Sequence, residues 1–222
     1  VGMNSLKQNT TGSYNTSVGE GALLDNTTAN NNTAVGQTAM RFNTTGVDNT
    51  AVGRNALYAN TTGTQNVAVG ASAGDSITTG NNNTALGYLA LDGTDDGSSN
   101  VAVGYASLRG NVGNSNTSVG NSALSSTSNT ASNNTAVGSA ALAANTTGDR
   151  NVAVGTSALD ANTTADGNTA VGYDALSANT TAEINTGLGF QALRLNTTGA
   201  SNTSVGANAL GSNTTASNNT AV

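Results

Sequence analysis

The chain has no cysteine, histidine, proline or tryptophan, and only two phenylalanines. Without cysteine, disulfides and thiolate metal sites are excluded. Without histidine or cysteine, the abundant serine and threonine hydroxyls have no obvious base to activate them, so nucleophilic catalysis has no residue set to rest on. Charged residues make up only 8% of the 222 positions. That separates the chain from disordered proteins kept unfolded by high net charge. It also leaves surface polarity to Asn, Thr, Ser and Gly. A formal charge of −6 argues against nucleic acid as a partner, since phosphate binding needs clustered Lys and Arg. No run approaches the 18 apolar residues of a membrane-spanning helix. The sequence does not open on a charged-then-apolar leader, and any signal or anchor is expected to lie outside it.

What is present is a repeat. Asn15, Asn32, Asn49, Asn66, Asn83, Asn100, Asn116, Asn134, Asn151, Asn168, Asn185, Asn202 and Asn219 each open the phrase N-[TV]-[ASG]-[VL]-G. An Ala-Leu step and usually N-T-T follow. The spacing is 17 residues, apart from one of 16 and one of 18 that cancel. A fixed short period marks a stack of identical structural units, each too small to fold alone. Residues 1–222 therefore read as a single repeat array. Val1 and Val222 both fall at the fourth position of a coil, so the array reads as a window of a longer polypeptide.

The coil Asn49–Gln65 serves as the type example. Seventeen residues with no sustained 3.6-residue apolar stripe do not hold a helix. Short strands punctuated by Gly53 and Gly63 fit. The fold class is therefore all-β, a parallel β-solenoid of about 13 stacked coils with no globular domain. Counting from the opening asparagine, alternation places positions two and four on one strand face. Val52 and its equivalents, Val or Leu throughout, would make that face the core, closed from across by Leu57 and its equivalents. Position three, always Ala, Ser or Gly, would then face outward, its small size pointing to close approach by another surface. Gly53 at position five would supply a positive φ. Asn49 would belong to a ladder of side-chain amides bonding to each other from coil to coil. The length changes all follow the Ala-Leu step, which makes the N-T-T segment the expected outer loop.

The phrase N-T-A-V-G-x-x-A-L resembles the S-V-A-I-G-type repeat of trimeric autotransporter adhesin heads. It is also similar to repeats of phage tail-fibre-like and bacterial surface fibre proteins. The resemblance covers essentially the whole chain. It implies a left-handed parallel β-roll, three chains side by side and an extracellular, cell-surface or phage-fibre location. The N-T-T segment is an elaboration of the shorter adhesin repeat.

The first functional expectation is thus a non-enzymatic structural protein, an extracellular fibre or adhesin rod, with no cofactor. Its partner would be further copies of itself, as a homotrimer or a helical filament. The alternative is an adhesin head or phage tail-fibre segment that binds cell-surface glycan or matrix. It calls for an aromatic or charged patch, and Tyr58, Tyr88, Tyr105, Tyr173 and Phe190 look scattered and suited to turn packing. A minor alternative is an ice-binding solenoid using rows of threonine, which Val interrupts at position two. Three candidate sites accompany these readings. Asp92, Asp95 and Asp96 form a weak calcium candidate in a Gly-rich loop. N-x-[ST] glycan acceptors recur at position twelve: Asn9, Asn26, Asn43, Asn60, Asn145, Asn162, Asn179, Asn196 and Asn213. Further acceptors of the same pattern fall at Asn15, Asn31, Asn82, Asn116, Asn133, Asn202 and Asn218.

Overall fold

A computed structural model describes residues 1–93, 96–110, 113–126 and 129–222. The chain divides into two compact units, Val1–Gly113 and Asn114–Val222. The first holds β1 (Thr16–Val18), β2 (Thr33–Val35), β3 (Thr50–Val52), β4 (Val67–Val69), β5 (Thr84–Leu86) and β6 (Val101–Val103). The second holds β7 (Thr117–Val119), β8 (Thr135–Val137), β9 (Val152–Val154), β10 (Thr169–Val171), β11 (Thr186–Leu188), β12 (Thr203–Val205) and β13 (Thr220–Ala221). Within each unit every strand pairs in parallel with the next, residue for residue, as in Thr33↔Thr50, Ala34↔Ala51 and Val35↔Val52. The chain is an all-β, parallel β-solenoid with one short strand per coil. No helix among the described residues is long and apolar enough to cross a membrane.

A strand of three residues leaves most of each coil to satisfy its backbone by other means. It does so with the same neighbours. Leu57 N–H donates to Ala73 O at 3.0 Å, Thr44 N–H to Thr61 O at 2.9 Å, and Gly53 N–H back to Val35 O at 2.8 Å. Inter-coil bonding therefore runs through the turns as well as the strands, which is how a solenoid meets the demand that buried backbone groups be paired.

The core reverses the faces expected from alternation. Position three is the buried one: Ala34, Ala51, Ala68, Ala102, Ala136, Ala153 and Ala170 are all fully enclosed. Position four faces out, with Val52 at 36% and Leu86 at 47% exposure. The physical reason is width. The wall opposite each strand is the Ala-Leu step of the same coil, and it approaches closely. A Cβ on Gly187, at position three, would lie 3.2 Å from Ala192 O and 3.4 Å from Leu176 Cγ. Ala-sized residues fill that gap and Val does not. The small residue does report a close approach, but by the coil's own far wall. Where position three is Ser, the hydroxyl is absorbed internally: Ser17 Oγ donates to Ala22 O at 2.9 Å and Ser118 Oγ to Ala123 O at 2.9 Å.

Position nine is core as expected. Leu23, Met40, Leu57, Leu91, Leu108, Leu124, Leu142, Leu159, Leu176 and Leu193 are all fully buried. Each also sits at a positive φ, between 47° and 55°. Left-handed backbone costs a non-glycine residue about 1–2 kcal/mol. Burying a leucine side chain returns about 1.5–3 kcal/mol. The coil accepts local strain because the turn must aim one large side chain inward.

Candidate functional site

There is no cavity among the described residues, so function has to be sought in the rows that run along the stack. Two of these rows are interior asparagine ladders, and they differ. At position one, the side-chain amide imitates a peptide group. Asn49 N–H donates to Asn32 Oδ1 at 3.0 Å, and Asn66 N–H donates to Asn49 Oδ1 at 2.9 Å. Asn49 Nδ2 donates to Gly63 O at 2.8 Å. The partners here are mainly backbone groups, and the expected amide-to-amide bond is added where Asn134 Nδ2 donates to Asn116 Oδ1 at 3.3 Å and Asn219 Nδ2 to Asn202 Oδ1 at 3.0 Å. In both units the pattern recurs, as in Asn168 N–H to Asn151 Oδ1 at 2.9 Å.

The amide-to-amide ladder lies at position twelve, in the segment expected to be an outer loop. Asn26 Nδ2 donates to Asn9 Oδ1 at 2.8 Å, Asn43 Nδ2 to Asn26 Oδ1 at 3.0 Å, and Asn60 Nδ2 to Asn43 Oδ1 at 2.8 Å. In the second unit Asn162 bonds Asn145, Asn179 bonds Asn162, Asn196 bonds Asn179 and Asn213 bonds Asn196 in the same way. Each ladder amide also reaches the carbonyl three residues on, as Asn43 does to Gly46 O at 2.9 Å.

This revises the glycan acceptors. Asn26, Asn43, Asn60, Asn145, Asn162, Asn179 and Asn196 are fully buried, and Asn9 and Asn213, at the ends, are partly so. Their amides are committed to the ladder, and a sugar on Nδ2 would displace the neighbouring coil. In the folded coil these positions are structural. The exposed acceptors are instead Asn31, Asn82, Asn133 and Asn218, each the last residue of its coil. Sequence reasoning could have separated the two sets, because position twelve is replaced by Ile77 in one coil, and an isoleucine marks an interior site.

That coil shows what the ladder requires. Ile77 is fully buried and Gly74 replaces the usual leucine. A Cβ on Gly74 would lie 3.0 Å from Ile77 Cδ1 and 3.2 Å from Leu57 Cδ2. Ile77 therefore fills the space that leucine fills elsewhere. Its side chain has no N–H to offer, and Asn60 Oδ1 is left buried without a partner.

Position five adds a second constraint on glycine. Gly53 has φ +140°, and a Cβ there would overlap the Gly70 carbonyl of the next coil. The positive φ was legible in the repeat, and the close inter-coil approach was not.

Of the calcium candidates, Asp95 lies outside the described residues. Asp92 pairs with the Arg109 guanidinium at 3.5 Å. No cluster of three or more potential metal-ligating side chains occurs among the described residues. Burial, then a hydrogen bond and charge repulsion from Asp75, push the Asp92 carboxyl up to about 7, with Arg109 pulling the other way. Asp75, Asp92 and Arg109 occupy position ten of successive coils, so the row holds a carboxyl pair capped by a cation.

The outward rows are Thr or Val at position two, Val or Leu at position four, and Thr at position fourteen, represented by exposed Thr28, Thr45, Thr62, Thr147 and Thr164. The aromatic residues are not buried by turn packing. Tyr88, Tyr105, Tyr173 and Phe190 at position six are about half exposed and occur as neighbours on successive coils. The Tyr88 and Tyr105 ring centroids are 5.9 Å apart, and those of Tyr173 and Phe190 are 5.5 Å apart and nearly parallel. Phe42 and Tyr58 form a third, edge-on pair at 4.9 Å.

These features define a solenoid repeat protein, with two interior amide ladders and an uncharged aliphatic outer face. Compared with protein-family models, curated proteins and solved structures, the chain finds no match in any of the three.

Proposed function

We propose that this chain is a non-enzymatic structural repeat protein of an extracellular fibre or adhesin rod, whose coils stack along the chain and whose outer sheet face associates with further copies of itself. The observation that carries the reading is the exposed row at position four. Val18, Val52, Leu86, Val171, Leu188 and Val205 are each between 36% and 47% exposed, on strands that contain no charged residue. Contiguous exposed apolar surface favours association. A row that repeats once per coil matches its own copy without any specialised complement, as self-association requires. The lateral contact falls at positions two and four, since position three is spent inside the coil. A homotrimer and a helical filament both use such a face.

Sedimentation of the full chain, with electron microscopy of the same sample, tests this. Assembly that is abolished by Val52→Lys with Val69→Lys, at unchanged far-ultraviolet dichroism, is the expected result. A wild-type chain that stays monomeric at its highest soluble concentration refutes the self-association.

A further inference from the structure

Position six follows the turn glycine, and its side chains stand beside the strand end rather than over the core. At Tyr173 and Phe190 the two rings lie 13° from parallel and are 49% and 51% exposed. The next residue in the row is Ala207, itself exposed, which offers only a methyl group beyond Phe190. Val171 and Leu188, each 37% exposed, border the rings on the strand side. At position seven, Gln191 Nε2 donates to Asp174 Oδ2 at 3.4 Å. The ring pair and the Gln191–Asp174 bonded pair thus occupy adjacent positions, six and seven, of the same two coils.

We infer that Tyr173 and Phe190, with Asp174 and Gln191 beside them, bind a β-linked, gluco-configured oligosaccharide. A pyranose with equatorial hydroxyls presents axial C–H bonds to an aromatic ring and a belt of hydroxyls at its edge. The outer face of Phe190, the one not stacked on Tyr173, matches the first feature. The Asp174 carboxylate accepts hydroxyl protons, and the Gln191 amide both donates and accepts, which matches the second. An open surface without a cavity suits a chain ligand, because small compact ligands are held in concave sites. A second copy of this chain is a poorer occupant, since it would bring like carboxylates together. The Tyr88–Tyr105 pair supplies an internal control. Its rings are 36° from parallel, and position seven there is Leu89 and Ala106, with no polar group to meet a hydroxyl. The inference is independent of self-association through the aliphatic rows.

The experiment is titration of the full chain with cellohexaose, followed by calorimetry and by aromatic proton shifts. Saturable binding is expected, weakened about tenfold by Phe190→Ala through lost stacking and about fivefold by Gln191→Ala through lost hydrogen bonding. Tyr105→Ala should leave it unchanged. All three side chains are half exposed or at the surface, and unchanged dichroism verifies the fold. Absence of saturable binding overturns the inference. So does a Phe190→Ala chain that binds as the parent does, or a Tyr105→Ala chain that loses as much. Sedimentation of the same variants separates the other occupant: if Phe190→Ala alters the association state and leaves cellohexaose binding intact, the patch is a chain interface and the inference fails.

Discussion

Reverting the fourth coil to the common pattern, by Gly74→Leu together with Ile77→Asn, should restore what each change alone destroys. Gly74→Leu alone drives a branched side chain against Ile77 and Leu57, where a Cβ already stands 3.0 and 3.2 Å from their methyls. Overpacking of that kind costs about 1–3 kcal/mol. Leucine at φ +56° adds about 1–2 kcal/mol of backbone strain. Ile77→Asn alone removes a fully buried aliphatic side chain, about 1.5–3 kcal/mol. Against that it gives Asn60 Oδ1 a donor and Gly80 O a second one, about 1 kcal/mol each. The void over Gly74 remains. In the double variant, leucine replaces isoleucine in the same volume, the clash is gone and both hydrogen bonds form. Its stability should fall within about 1 kcal/mol of the parent, so the two changes couple favourably, by about 3–4 kcal/mol at the middle of these ranges. Urea denaturation of the four full-length chains, followed by far-ultraviolet dichroism, measures the cycle. Simple additivity would refute the idea that Gly74 and Ile77 are one compensated substitution.

Three further outcomes follow from the same geometry. Asn66→Ala should destabilise the chain by about 1–3 kcal/mol more than Asn49→Ala, because Gly63 O keeps a second donor in Asn60 whereas Gly80 O has only Asn66; equal denaturation midpoints for the two variants would count against this. Gly53→Ala should cost upwards of about 3 kcal/mol, since both its φ and the Gly70 carbonyl oppose a Cβ, while Gly167→Ala, with nothing nearer than 4.0 Å, should cost only about 1–2 kcal/mol; thermal melts rank the two. Asp92 holds its proton in the folded chain up to about pH 7 but releases it near pH 4 when unfolded, so its contribution to stability is complete below about pH 4 and is lost as pH rises through about 7. Asp92→Asn should flatten that fall, and an unchanged pH profile of the urea midpoint would remove Asp92 as its source.

The period and the strand phrase were enough to predict a stack of coils, because in-register parallel pairing requires the same residue type one period on. They were not enough to orient the strand. Alternation says that positions two and four share a face, and it is silent on which face is inside. Hydrophobicity pointed to Val52, whereas the deciding quantity was the distance to the opposite wall, which Ala51 and Leu57 set between them. The amide ladder at Asn26, Asn43 and Asn60 was hidden for a related reason. An N-T-T triplet reads as a polar turn, and only Ile77 in the same column betrays a buried site. The aromatic pairs were hidden by distance in sequence: Tyr173 and Phe190 are seventeen residues apart and become neighbours only once the coil is closed.

The asparagine columns explain why so little hydrophobic core suffices. Each regular coil buries one leucine-sized side chain and a few alanines, less apolar volume than a unit of seventeen residues needs to offset its ordering entropy. The remaining order comes from side-chain amides that bond as backbone would. Asn49 and its equivalents carry inter-coil pairing across a corner where the chain is not extended, and Asn43 and its equivalents do so at a second corner. An amide in such a column bonds a carbonyl of its own coil and is fully satisfied only when a further coil supplies the remaining partner. Each coil therefore depends on its neighbours for polar pairing as well as for apolar burial, and both dependences favour long uninterrupted arrays over short ones. Interior identity is fixed by the stack, while position four stays aliphatic and positions six and seven change from coil to coil. Any recognition the coils perform has to be written there, on residues such as Leu188, Phe190 and Gln191.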